Sequence, residues 1–125
     1  MSFPLLLAIA GAGGLGAVAR YLLVLAVQTA WPGMPLGVAI VNVLGCFGFG
    51  CCWALAADRW SPTIAAAVLV GFFGAFTTFS SFAADCHTLW TDGRLTAWAI
   101  NLVGQNVAGL LAVVAGVAVG EALAR

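Results

Sequence analysis

From Gly71 to Phe82 the chain reads GFFGAFTTFSSF: four hydroxyls, Thr77, Thr78, Ser80 and Ser81, stand among five phenylalanines with no charge between them. On a helical wheel at ~100° per residue, Gly71, Gly74, Thr77, Thr78 and Ser81 share one side with Ser80 at its edge. Phe72, Phe76 and Phe79 gather opposite, and Phe82 sits near the border. Three more uncharged polar side chains lie in apolar surroundings: Asn42, and the i, i+4 pair Asn101 and Gln105. Amides and hydroxyls donate hydrogen bonds, and a phenyl ring is electropositive at its edge. Such a lining suits an anion, held well enough to enter a passage and loosely enough to leave it. Singly, each amide serves equally well as a bond between helices, worth ~0.6 kcal/mol on average.

The elements that must position these groups follow from composition. The chain has 125 residues, 64% of them hydrophobic and 6% charged, with a mean hydropathy of +1.15, far from the balance of a soluble domain. Charges fall only at Arg20, Asp58, Arg59, Asp85, Asp92, Arg94, Glu121 and Arg125. The uncharged stretches between them, 3–19, 36–57, 63–84 and 95–120, are each near or above the ~20 residues that cross a bilayer core as a helix. They predict an all-α membrane protein with one domain, 1–125, and helices at about 3–28, 36–57, 62–91 and 95–122. The first stretch lacks a basic start and runs into Arg20, so it reads as a retained helix and not a signal peptide. The third is longer than one span needs and polar at its centre. It predicts a helix broken near 74–78, with free backbone carbonyls able to hold a cation. The alternative is a continuous helix whose hydroxyls bond a neighbour.

The connections TAWPGMP (29–35), DRWSP (58–62) and TDGR (91–94) are short and rich in turn residues, which puts both termini on one side. Arg59 and Arg125 then fall on the side of the termini, Arg94 on the other, and Arg20 near the far end of the first helix. So even a tally of cations predicts insertion both ways round, and hence an antiparallel dimer, or else a single orientation fixed by one arginine or by a partner.

Other motifs carry less. Cys46, Cys51, Cys52 and Cys86 show no zinc-ligand spacing with a histidine and read as small packing residues. His87 stands alone just beyond the third apolar stretch, as an interfacial residue. GAGGLG at 11–16 matches a dinucleotide fingerprint in letters only, since no strand precedes it and the first carboxylate is Asp58. Its glycines, with Ala8, Ala12 and Ala17, and Ala112, Gly116 and Gly120 in the last helix, predict close helix contacts.

Three stretches, GGLGAVARY (13–21), VNVLGCF (41–47) and GFFGAFTTFSSF (71–82), resemble the signatures of the Fluc (CrcB) fluoride channels, and the likeness spans nearly the whole chain. The resemblance implies a dual-topology, antiparallel homodimer in the inner (plasma) membrane, with two fluoride pathways at the subunit interface. Fluoride would leave the cytoplasm through it by passive, electrogenic flow, relieving fluoride toxicity with no catalytic residue and no nucleic acid involved. It also implies a structural sodium ion on the two-fold axis, held by carbonyls matching Gly74 and Thr77. The pathway residues match Phe79, Phe82, Asn42, Ser80 and Ser81, and Arg20 matches the basic residue that attracts anions at the vestibule. Ala75 stands where many members have glycine, Ser81 where threonine is usual, and Asn101 and Gln105 where the family tends to place hydroxyls. Two other classes stay open: a small four-helix proton-coupled multidrug exchanger, which normally needs a titratable group in its pathway and has only Asp85 or His87 near one, and a non-transporting membrane scaffold.

Overall fold

The computed structural model describes residues 2–57 and 59–125; Met1 and Asp58, the latter in the expected second connection, lie outside the described residues. Every element among the described residues is helical. α1 spans Phe3–Ala30 and α2 spans Leu36–Ala56. α3 runs through Pro62–Ala65, widened π-type turns at Ala66–Phe73, and Gly74–Phe76, and α4 is Phe79–Thr91. α5, Leu95–Ala124, carries a second widened stretch at Ile100–Gly104.

Local sequence explains the ends. Proline opens α1 and α3, where its missing N–H costs nothing, and the Ser61 hydroxyl accepts the Ile64 N–H at 3.3 Å. Gly33 and Gly93 turn the chain with φ of 79° and 69°, a region that side chains disfavour. Between α3 and α4, Thr77 (φ −79°, ψ 155°) and Thr78 (φ −148°, ψ 117°) are extended.

The segments Phe3–Ala30, Leu36–Ala56, Pro62–Thr91 and Leu95–Ala124 are each long and apolar enough to cross a membrane. α2 packs mainly on α5, and α1 on α3. Small residues permit both contacts. A methyl group at Gly116 would strike the Phe47 carbonyl, one at Gly50 the Val113 carbonyl, and one at Gly16 the Phe72 carbonyl. Of the expected glycine contacts in 11–16, Gly13 and Gly16 face α3, whereas Gly11 and Gly14 face open space.

The buried cluster is small: Val38, Phe82 and Cys86, with Trp98 and Leu102 packed against it. Most large apolar side chains point outward, among them Leu15, Leu110, Leu111 and Val114. Water would not tolerate so continuous an apolar exterior, but lipid does.

Candidate functional site

α2, the α3–α4 junction and α5 line an open cavity of about 300 Å³. Asn42 and Cys46 line it from α2, Thr77, Thr78, Phe79 and Phe82 from the junction, and Gln105, Asn106 and Gly109 from α5. Its walls are mainly apolar and its polar groups converge on Thr78.

An extended residue presents its N–H and C=O on the same side, as in a strand. Asn42 uses this. Its Oδ1 accepts the Thr78 N–H at 2.8 Å, and its Nδ2 donates to the Thr78 carbonyl at 3.1 Å. The second Nδ2 hydrogen goes to Gln105 Oε1 at 2.6 Å. Both N–H groups of Asn42 are therefore engaged within the chain. The amide that sequence reading offered as an anion donor lines the cavity while bracing its backbone.

The Thr78 hydroxyl is a second hub. It caps α4 by accepting the Ser81 N–H at 3.2 Å, and it donates to Ser81 Oγ at 3.1 Å. With its one hydrogen spent, its 3.1 Å contact with Ser80 Oγ requires Ser80 to donate. The Ser81 O–H hydrogen is left over. On α5, Gln105 Nε2 donates to Asn101 Oδ1 at 3.2 Å, and Asn106 Nδ2 donates to the Leu102 carbonyl at 2.6 Å. Each of these two amides keeps one more N–H.

Phe79 and Phe82 lie with ring centroids 5.5 Å apart and planes tilted by 53°. Phe82 is buried, whereas Phe79 is 77% exposed. Of the residues expected in the pathway, Asn42, Phe79, Phe82 and Gln105 line this cavity. Ser80 and Ser81 stand beside it through Thr78. Asn101 is buried one turn from Gln105, lines a separate groove between α2 and α5, and donates to Cys86 Sγ at 3.3 Å. Arg20, half-buried on α1, is not among the lining residues.

Gly74 and Thr77, the expected carbonyl ligands, can be tested for fit from their neighbours. In a continuous helix the Gly74 carbonyl takes the N–H of Thr78, and the Thr77 carbonyl takes that of Ser81. Both donors are diverted here, to Asn42 Oδ1 and to Thr78 Oγ1. Two hard oxygen ligands are thereby released from the helix ladder, and among the described residues nothing beyond Gly74's own turn lies within 4 Å of a methyl placed on it. The donor set fits a hard cation.

Sequence reading missed Asn106 and the hub role of Thr78. Thr78 had a signal: Thr-x-x-Ser ahead of an apolar run is close to an N-capping pattern. Asn106 had none beyond being an amide beside Gln105.

A four-span helical membrane protein with a phenylalanine-walled, hydrogen-bonding cavity at a non-helical junction belongs to the class of small-ion pathways, where irregular backbone at membrane depth lines a site. The model of the family "CrcB-like protein, Camphor Resistance (CrcB)" matches residues 7–117, and the chain belongs to that family. Among relatives, a protein of Paracoccus denitrificans named fluoride-specific ion channel FluC is 41% identical over 117 residues, 94% of each chain. One of the same name from Nitratidesulfovibrio vulgaris is 44% identical over 113 residues, 88% of this chain and 91% of its own. Fluoride-specific ion channel FluC 2 of Natronomonas pharaonis is 46% identical over 117 residues, 94% of this chain and 95% of its own.

Proposed function

We infer that this chain is a passive, fluoride-selective ion channel of the inner (plasma) membrane through which fluoride leaves the cytoplasm, relieving its toxicity. The observation that carries this reading is similarity over 94% of the chain to a protein named a fluoride-specific ion channel.

A bare small anion entering a medium of low dielectric faces a cost on the order of tens of kcal/mol unless donors replace its water piecemeal. The free donors around the cavity are the Ser81 O–H and the second N–H groups of Gln105 and Asn106. The ring edges of Phe79 and Phe82 bridge them without binding the ion tightly. Asn42 and Ser80 hold the pathway's backbone and hydroxyl network, Asn101 orients Gln105, and Arg20 adds positive potential toward the vestibule.

The working unit is an antiparallel homodimer of dual-topology chains, with two pathways at the interface. The exposed Phe79 ring and the open flank of Gly74 leave these groups for the second copy. The break at Thr77 and Thr78 frees the Gly74 and Thr77 carbonyls, and the two-fold axis doubles them to hold a structural sodium ion. That ion staples the subunits and adds positive potential.

The test uses purified protein in liposomes loaded with potassium fluoride in a chloride-free medium, before and after a potassium ionophore is added. Fluoride is expected to leave rapidly only once potassium can follow, as an uncoupled, electrogenic pore requires. Folded, dimeric protein with no efflux in either condition would overturn the reading in favour of a scaffold.

A further inference from the structure

We propose that Gln105, Asn101 and Cys86 form, with Asn42, a hydrogen-bond relay of fixed polarity that holds the extended backbone at Thr78, and that Gln105 is thereby a positioning residue of the pathway. The relay crosses three elements: α2 through Asn42, α5 through Gln105 and Asn101, and α4 through Cys86.

Its direction follows from one atom. The Thr78 N–H can only donate, so Asn42 must turn Oδ1 toward it and Nδ2 away. Nδ2 then needs an acceptor, which sets Gln105 with Oε1 toward Asn42 and Nε2 toward Asn101. Asn101 must in turn show Oδ1 to Gln105, which leaves its Nδ2 to donate to the Cys86 sulfur. Rotating Asn42 or Gln105 alone would set N–H groups against each other on one side and oxygens on the other, and rotating Asn101 would set its N–H groups against those of Gln105.

Burial makes the direction binding. Asn101, Gln105 and Cys86 are each 9% exposed and Asn42 is half-buried, so water repairs a lost link poorly at the Asn101 and Cys86 end. Bonds in a low-dielectric chain also polarise one another. Gln105 lines both the cavity at Thr78 and the separate groove between α2 and α5, and so divides them. Asn101 sits within the widened turns Ile100–Gly104 and Gln105 follows directly after them, so the relay is anchored on that irregular stretch. Resting on the pathway reading for its effect on flux, the relay keeps the Thr78 peptide turned away from the helix ladder. This leaves the second Gln105 N–H as the member that faces the ion.

The experiment reads amide hydrogen exchange at Thr78 in folded, detergent-solubilised full-length protein without fluoride, so it stands or falls independently of conduction. Gln105→Met, which keeps length but neither donates nor accepts, is expected to speed exchange at Thr78 by about tenfold or more. Asn101→Leu is expected to speed it as well, and the double variant is expected to exchange no faster than Gln105→Met alone, because both act through one chain of bonds. An unchanged rate in Gln105→Met, or effects that simply multiply, would overturn the relay. Should Gln105→Met not fold, Cys86 decides: Cys86→Ser keeps a terminal acceptor and should exchange as the parent does, while Cys86→Ala should exchange about two- to threefold faster. Equal rates for these two would likewise refute it. In liposomes, Gln105→Met should lower fluoride flux with dimer elution unchanged.

Discussion

Phe79 and Phe82 touch each other but meet different surroundings, Phe82 inside the chain against Val38 and Cys86 and Phe79 largely outside it. Replacing Phe82 with isoleucine keeps an apolar side chain and removes the electropositive ring edge. Phe82→Ile should leave the dimer intact and lower fluoride efflux from liposomes by about tenfold or more, the ratio that ~1.4 kcal/mol of lost ion stabilisation gives. Full conduction would remove the aromatic part of the mechanism. Asn42 is more exacting. A carboxylate at this position loses both donations, to the Thr78 carbonyl and to Gln105, and brings a negative charge to an anion's path. Asn42→Asp is expected to abolish efflux, and Asn42→Leu to destabilise the protein by about 1–3 kcal/mol in thermal unfolding, since it orphans the Thr78 N–H. At this scale the sequence revealed residue types: an amide in VNVLG and hydroxyls among phenylalanines are conspicuous in an uncharged run. It did not reveal that Asn42 spends both N–H groups on its own chain. That pairing depends on the extended backbone of a residue 36 positions away, and no local pattern records it.

Among the elements, the hydrophobic spans were legible because the bilayer imposes their length: uncharged runs of about 20 residues leave few other readings. Which glycines approach a neighbour was not legible. Gly11, Gly13, Gly14 and Gly16 look alike in GAGGLG, yet only Gly13 and Gly16 face α3, because a helix presents successive residues to different sides. The α2–α5 contact carries the same logic further, with Gly50 on one helix and Gly116 on the other each set against the opposing backbone. Gly116→Ala should therefore force these helices apart despite alanine's better helix propensity. A loss of about 1–3 kcal/mol is expected in thermal unfolding in detergent, as for other overpacked sites. Gly14→Ala meets no atom of a neighbouring element among the described residues and should be neutral or slightly stabilising. Equal behaviour of the two variants would mean that the α2–α5 contact does not rely on glycine. Since α2 and α5 form two walls of the cavity, the Gly116 variant should also lose flux.

At the scale of the whole molecule, the proposed dimer rests on groups that a single chain leaves open. Its apolar exterior needs lipid, the Gly74 and Thr77 carbonyls that the junction frees lose their helix-ladder donors, and the Phe79 ring meets Phe82 but is otherwise largely exposed. Two carbonyls are too few to replace the water around a sodium ion, whereas the two-fold axis of the proposed dimer would supply four. In the proposed antiparallel dimer, sodium binding and dimerisation would be one equilibrium, and the even tally of Arg20, Arg59, Arg94 and Arg125 permits the opposed insertion that such a pair needs. A ligand that binds only the assembled state stabilises it by mass action, by ~2.7 kcal/mol at a concentration 100-fold above its dissociation constant. Replacing sodium with a bulky organic cation at constant ionic strength should lower the dimer's melting temperature and shift it toward monomer on size exclusion, and added sodium should restore both. Potassium, a larger ion for the same carbonyls, should restore less. Dimers equally stable in all three cations would show that the freed carbonyls hold no ion, and the junction would then owe its geometry to Asn42 and its relay alone.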